Sequence, residues 1–423
     1  MFTVVYGLTS SARMFMNSSY NTGNNIFACT KGNEIFDSEH SLSLLELADV
    51  DKNSISRVVI CSEFVSDIII SLIGIGFDIQ NLYFFNHMNE NLVSCTTQII
   101  PKIDIDDVLY AFYDLACNLP CYDATTFVVL AEQQRIVEKK KYIQFVIVPD
   151  RSNKHLGINV YHSNDDASWR IEKIVKPLFY SIESCVGTHE LLIKEQASLY
   201  KNQKISCYPI DYLENNRAVG SDFKAIKRFR ELGVELSQLS PPNQAKLLVE
   251  QYISSISKGR KVITITFREY WANPEHRNNS IDDWILFLRK LDKAKYCPVV
   301  IRDTYYCTMP FPEDIENINY FPLASIDLHL RLALYQSAYI NMGVESGPMY
   351  PISYLKNACS IIFRQVIEDI PNLSTRTNIM HGFTVGENHY FNDNDSQINV
   401  WGKDVFERIS SEFERLVTRL EQK

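Results

Sequence analysis

Long apolar stretches are missing from this sequence of 423 residues. The longest run, residues 68–77, is interrupted by Ser71 and falls well short of the ~20 apolar residues that a bilayer-spanning helix needs. The first residues, MFTVVYGLTSSARMF, also lack the basic leader and apolar segment of a secretion signal. The sequence therefore predicts no membrane-spanning helix and a cytoplasmic location.

Metal-binding patterns are missing as well. The ten cysteines form no CxxC pair, and the closest two, Cys117 and Cys121, have no second pair of ligands nearby. No DxD motif ends an apolar strand, and Asp282 and Asp283 precede a predicted helix, where carboxylates favour capping. We therefore expect reduced thiols, no metal and no cofactor.

An excess of positive charge is absent too. The net charge is -9 at pH 7, which disfavours a nucleic-acid partner despite the local basic stretch at residues 224–230. Glycine and proline number only 15 each, so extensive disorder is excluded.

Strand and helix patterns alternate along the whole chain, and its length predicts two or three compact units. The predicted fold class is α/β, with two Rossmann-like lobes and a small parallel α/β module at the N-terminus. We expect the module at residues 1–100, one lobe at 101–240 and a second lobe at 241–423. The amphipathic C-terminal helix, residues 403–421, is expected to cross back to the first lobe.

The first candidate site is the turn after the first strand. Gly7, Ser10 and Ser11 stand where backbone N–H groups and a helix N-terminus could bind the phosphate of a cofactor. Thr9 and Ala12 occupy the second and third positions of the GxGxxG dinucleotide pattern, so a purely structural turn stays open.

The second candidate site follows the strand KVITITF. Arg268 ends this strand, and Arg277 and Asn278 lie in the loop behind it, at the sheet edge where α/β proteins bind ligands. The planar fork of an arginine suits a diphosphate. Surface ion pairing is the alternative for each arginine.

The third candidate site is the turn at residues 341–349, NMGVESGPM. Gly343, Ser346 and Gly347 favour close approach of backbone amides to a phosphate, and Glu345 would bind ribose hydroxyls. A tight structural turn with Glu345 on the surface is the alternative.

The second and third regions, in this order, resemble the donor lobe of GT-B glycosyltransferases, in particular a group of bacterial surface-polysaccharide transferases. Residues 394–404 and, upstream, Tyr122, Asp123, Trp169 and Arg170 match the same group. Residues 1–85 resemble nucleotide-binding-like modules found beside bacterial sugar-modifying enzymes. The resemblance implies a glycosyltransferase with a nucleotide-sugar donor and a glycan or lipid-linked acceptor, and contact with a membrane surface stays open.

Such a transfer needs a group that takes a proton from the acceptor hydroxyl. His162 and Asp166 are the candidates for this role, with Arg268 as the catalytic cation, Trp169 and Arg170 binding substrate, and Asp123 equally suited to cap a helix. A non-catalytic sugar-nucleotide binding or assembly protein is the alternative. An NAD-dependent enzyme is disfavoured by the missing glycines.

Overall fold

The computed structural model describes residues 1–29, 35–36, 39–98, 104–149, 164–201, 205–215, 222–236, 238–270, 277–311, 315–393 and 395–422. The chain divides into two compact units, Met1–Asp104 and Ile105–Lys423. The second unit contains two sheets, and we name the regions around them the first lobe (residues 105–240) and the second lobe (residues 241–423). No helix in the described ranges has the length and apolar character needed to span a bilayer.

The N-terminal unit is built around a five-stranded sheet of order β2-β1-β5-β6-β7, in which β7 alone is antiparallel to its neighbour. Strands β3 and β4 form a separate antiparallel pair. The elements are β1 (Phe2–Tyr6), α1 (Ser10–Asn17), β2 (Asn25–Ala28), β3 (Ile35–Phe36), β4 (Glu39–His40), α2 (Leu44–Ala48), β5 (Ile55–Ile60), α3 (Val65–Gly74), β6 (Leu82–Asn86), β7 (Asn91–Ser94) and α4 (Cys95–Gln98).

Both faces of this sheet are covered by helices, which explains its apolar strands. Val4 packs with Leu72 of α3 on one face, and Val5 packs with Phe15 of α1 on the other. Successive strand residues point to opposite faces, so a strand covered on both sides is apolar at every position.

The first lobe contains a four-stranded parallel sheet of order β10-β9-β8-β11. A π-helical segment, Ile171–Val175, joins α6 to α7 without a break. The elements are β8 (Val108–Asp114), α5 (Ala124–Val137), β9 (Tyr142–Val148), α6 (Asn164–Arg170), α7 (Lys176–Phe179), β10 (Cys185–Glu190), α8 (Ser198–Lys201), β11 (Ser206–Tyr208), α9 (Tyr212–Asn215) and α10 (Phe223–Glu231).

The second lobe contains a six-stranded parallel sheet of order β14-β13-β12-β15-β16-β17. The elements are α11 (Asn243–Ser257), β12 (Lys261–Thr266), α12 (Ile281–Lys290), β13 (Tyr296–Ile301), β14 (Asn319–Tyr320), α13 (Leu323–Ile326), α14 (Leu328–Ser337), β15 (Ile340–Val344), β16 (Ser360–Phe363), α15 (Thr375–Met380), β17 (Gln397–Asn399) and α16 (Phe406–Glu421). The chain adds strands outward from β12 in one direction, then returns to its other side with β15. This reversal is the topological switch point of a doubly wound sheet.

These sheets confirm the predicted α/β class, with two Rossmann-like lobes and a small, mainly parallel N-terminal module. The lobes of the second unit share one apolar core. The hydroxyls of Thr126 and Tyr350 are 2.7 Å apart, and a ring nitrogen of His329 lies 2.8 Å from the carbonyl oxygen of Pro177. The two lobes of this unit are therefore in direct contact.

The C-terminal helix differs from the expectation that it crosses to the first lobe. Its buried residues, among them Phe413, belong to the core of the second lobe. The ring of Phe413 contacts Phe287 of α12 and Tyr296 of β13, with centroid distances of 5.4 and 5.1 Å. The amphipathic pattern correctly indicates a buried face, but it does not specify which surface covers that face.

Candidate functional site

A cleft of about 860 Å³ lies between the two lobes, at the carboxyl edge of the second-lobe sheet. The residues that follow three neighbouring strands line it: Arg268 after β12, Asp303 after β13, and Ser346 with Gly347 after β15. Because β12 and β15 flank the switch point, the cleft lies where doubly wound sheets bind their ligands. The first lobe supplies the opposite wall.

Arg268 is held at the cleft by the loop that follows it. Its backbone N–H donates to Asn279 Oδ1 at 2.7 Å, and its Nη1 donates to Asn278 Oδ1 at 2.6 Å. Asn278 also bonds both backbone polar groups of Tyr270, so its side chain positions the loop and does not line the cleft. Burial, reinforced by the nearby charge of Arg277, lowers the pKa of Arg268 to about 10.

Arg277 stands beside Arg268 and also lines the cleft. Its Nη2 lies 3.0 Å from Glu345 Oε2, which ties the loop after β12 to the end of β15. Its Nε is buried and makes no hydrogen bond within the described part of the chain. Two guanidinium groups, one with an unused donor, therefore face a space that would favour an anion.

The predicted phosphate turn contains two glycines with different surroundings. A Cβ on Gly343 would lie 2.9 Å from the Thr266 carbonyl oxygen, so this residue is glycine because β12 packs closely against it. A Cβ on Gly347 would lie 2.8 Å from the ring of Tyr122 in the first lobe. Ser346 and Gly347 line the cleft, at the start of the 3-10 helix Gly347–Tyr354, whereas Gly343 is buried in β15.

Glu345 has a different partner from the one expected. The sequence predicts that it binds ribose hydroxyls, but its carboxylate is partly buried and paired with Arg277. In this arrangement Glu345 orients a cleft arginine, and its role toward a ribose stays a prediction.

The first-lobe wall includes three of the predicted residues. Asp166, Trp169 and Arg170 all line the cleft, and Arg170 Nε lies 2.8 Å from Asp166 Oδ2. Trp169 is 37% exposed, so much of its indole is open to this space. His162 lies outside the described residues.

Asp123 also lines the cleft. The sequence predicts two equally suitable roles for it, in the site or as the cap of a helix. It precedes α5, but its side chain makes no capping hydrogen bond. Asp123 is accessible from the cleft, and Cys121 lies close to its carboxylate. Desolvation by the surrounding protein raises its pKa, partly offset by the Cys121 hydrogen bond and the charge of Arg277. The capping role is therefore not observed.

Sequence analysis did not identify two other charged residues of the cleft, Arg331 and Arg302. Arg331 lies within the mainly apolar helix α14 and is 3% exposed, with its Nε donating to the Ala324 carbonyl oxygen at 2.6 Å. Arg302 follows β13 and forms a buried ion pair with Glu269. Arg302 follows the end of a strand, as Arg268 does, so the same sequence pattern could have identified Arg302.

The N-terminal turn has a structural explanation. Gly7 has a φ of 102°, and a Cβ there would lie 2.7 Å from the Cys61 carbonyl oxygen. The Thr9 hydroxyl donates to that same oxygen at 2.7 Å. Ser10 is exposed and Ser11 is buried. Cofactor binding by Gly7, Ser10 and Ser11 therefore stays a prediction.

Within the described ranges, no group of three or more His, Cys, Asp or Glu side chains is arranged to hold a metal ion.

Comparison with known proteins gave no match to a protein-family model or to a curated protein. Among solved structures, a family 9 glycosyl transferase from Veillonella parvula aligns with 76% of this chain and 99% of its own, at 13% identity and a TM-score of 0.40. A UDP-GlcNAc 2-epimerase from Neisseria meningitidis, bound to UDP-GlcNAc, aligns with 98% of this chain and 91% of its own, at 13% identity and a TM-score of 0.29. The wall teichoic acid polymerase TagF aligns with 100% of this chain and 81% of its own, at 9% identity and a TM-score of 0.29. Alignments at this level of identity and TM-score do not assign an activity to this chain.

Proposed function

We propose that this chain is a GT-B-type glycosyltransferase that moves a sugar from a nucleotide-sugar donor to a glycan or lipid-linked acceptor. The observation that carries the proposal is the distribution of charge in the cleft. Arg268 and Arg277 lie beside the turn at Ser346 on the second-lobe wall, and the Asp123 carboxylate belongs to the first lobe. This arrangement suits a departing phosphate on one side and a hydroxyl that loses its proton on the other.

The donor phosphates would bind the two arginines. The charge of Arg277 is close enough to disfavour that of Arg268, so an anion between them would relieve the repulsion. The buried Nε of Arg277 would gain a hydrogen-bond acceptor. The backbone N–H of Gly347, at the start of the 3-10 helix, would add one donor on the same wall, because Pro348 has no N–H and the N–H of Met349 donates to the Ser346 carbonyl oxygen.

Asp123 is the proton acceptor that we propose, in preference to Asp166. Asp166 already shares its charge with Arg170, whereas Asp123 is exposed to the cleft and has a raised pKa, which makes it a better base. The acceptor oxygen would form a bond to the anomeric carbon while its proton passes to Asp123. The bond from that carbon to the phosphate oxygen breaks at the same time, and its electron pair leaves with the nucleotide, stabilised by Arg268.

The biological setting that we propose is the biosynthesis of a bacterial surface polysaccharide or glycoconjugate. It rests on the sequence motifs around Arg268 and at residues 341–349, which resemble transferases of that kind.

A thermal-shift screen against UDP, GDP, CMP and dTDP tests the donor site. A nucleotide present at a hundred times its dissociation constant stabilises the folded state by ~2.7 kcal/mol, so the correct one should raise the melting temperature clearly. The matching nucleotide sugars are then incubated with the protein, and release of free nucleotide is measured. Binding without release, with or without a panel of saccharides, would favour a non-catalytic sugar-nucleotide binding protein. Failure of every nucleotide to bind would refute the proposal.

A further inference from the structure

One face of a first-lobe helix forms much of the wall opposite the arginines. Asp166, Trp169, Arg170, Lys173 and Ile174 all line the cleft, at the spacing of three and four residues that places side chains on one helix face. The π-helical turn at Ile171–Val175 contains the last two of these residues, Lys173 and Ile174. Such insertions are frequent at functional sites.

This face carries a positive charge that no described residue neutralises. Arg170 is paired with Asp166, but Lys173 is exposed and forms no ion pair within the described part of the chain. Lys176 gives the contrast, because it lies outside the cleft and is held by both Glu172 and Glu190. An uncompensated lysine therefore lies in the cleft.

Trp169 lines the cleft on the same helix face as Arg170 and Lys173. It is 37% exposed, which is unusual for a side chain whose burial contributes so much apolar area. An indole beside cationic groups suits a ligand that combines a flat C–H surface with a negative charge. A sugar ring with an anionic substituent has both features.

We propose that the acceptor is an anionic saccharide, carrying a carboxylate or a phosphate ester that binds Arg170 and Lys173 while its ring packs on Trp169. The inference rests on the proposed function and adds the chemical class of the acceptor. The donor phosphates bind Arg268 and Arg277 of the second lobe, so the two anions occupy opposite walls.

Saccharide binding to the protein saturated with its nucleotide tests this proposal. Isothermal titration calorimetry would compare methyl β-glucuronide, glucose 6-phosphate and neutral methyl β-glucoside. We expect at least one anionic probe to bind about tenfold or more tightly than the neutral one, and the two anionic probes distinguish a carboxylate from a phosphate ester. Equal binding of all three, or displacement of the nucleotide by the anionic probes, would overturn the proposal.

A pair of lysine variants on the same helix provides the control. Lys173→Gln should weaken binding of the preferred anionic probe about fivefold, the effect of removing one partly screened charge contact. It should leave nucleotide affinity within about twofold. Lys176→Gln should change neither affinity. Unchanged affinity of the anionic probe for Lys173→Gln contradicts the inference alone, whereas the absence of any nucleotide binding refutes the proposed function and this inference together.

Discussion

Replacing Arg268 with lysine would test the proposed donor site most directly. The guanidinium has five N–H donors, and Asn278 accepts from only one of its terminal nitrogens. The remaining donors are available for a phosphate. Lysine keeps the positive charge but cannot hold Asn278 and grip two phosphate oxygens at once.

The size of the effect follows from when the negative charge develops. Charge on the leaving phosphate grows as the glycosidic bond breaks, so Arg268 should stabilise the transition state more strongly than the bound donor. Removing a single donor of this kind costs ~10²–10³ in rate. We therefore expect Arg268→Lys to lower kcat by that factor and to raise the donor KM by a smaller one.

The assay is release of free nucleotide from the donor selected by the thermal-shift screen, together with a melting curve. Arg260→Lys is the matched control, because Arg260 precedes the same strand at its opposite end, does not line the cleft, and donates to structural groups such as the Ser257 and Ile256 carbonyl oxygens. This control should lower the melting temperature and leave kcat unchanged. A near-normal kcat for Arg268→Lys would refute its catalytic role, and a collapsed melting temperature would show that its role is structural.

Three further outcomes follow from the cleft. Asp123→Asn should abolish turnover yet preserve or raise the melting temperature, because a carboxyl whose folded pKa is raised destabilises the fold when it is ionised. The wild-type rate should fall with decreasing pH, at a pKa above the ordinary ~3.9 of an aspartate. An Asp123→Asn variant that retains turnover would contradict the assignment of Asp123 as the base. Gly347→Ala should lower the free energy of unfolding, measured in urea, by ~1–3 kcal/mol, because the added Cβ meets the ring of Tyr122. Gly187→Ala should be nearly neutral, because a Cβ there meets nothing within 4 Å. Equal effects of the two substitutions would contradict this packing argument. Turnover should survive EDTA, and loss of activity restored by Mg²⁺ or Mn²⁺ would contradict a metal-independent mechanism.

Much of the fold could be predicted because buried parallel strands are recognisable as apolar runs. The run KVITITF predicts a strand at residues 261–267, and the observed strand, Lys261–Thr266, differs by a single residue. The same logic located part of the cleft. Carboxyl ends of parallel strands share one edge, so the residues that follow β12 and β15, Arg268 and Ser346, had to lie near each other.

The partner of each charged side chain could not be predicted, because it depends on tertiary contacts between distant segments. Asp123 occupies a position where a carboxylate commonly caps a helix, and only the observed geometry excludes that bond. Glu345 and Arg277 are far apart in sequence, so their ion pair leaves no local pattern. Arg331 is a single charged residue within the mainly apolar helix α14. From the sequence alone, such a residue is expected to point to solvent.

The two glycines of the proposed phosphate turn also have tertiary neighbours that the sequence does not reveal. Both were predicted to let backbone amides approach a phosphate, yet each has a protein neighbour that already requires glycine. Gly343 accommodates the backbone of β12, and Gly347 accommodates the ring of Tyr122. The turn is therefore explained without a ligand and Arg277 is paired with Glu345, whereas Arg268 lies in the cleft with no ion pair in the described part of the chain. The proposed donor site consequently depends on the arginines more than on the turn, and Arg268→Lys should reduce kcat more strongly than Gly347→Ala.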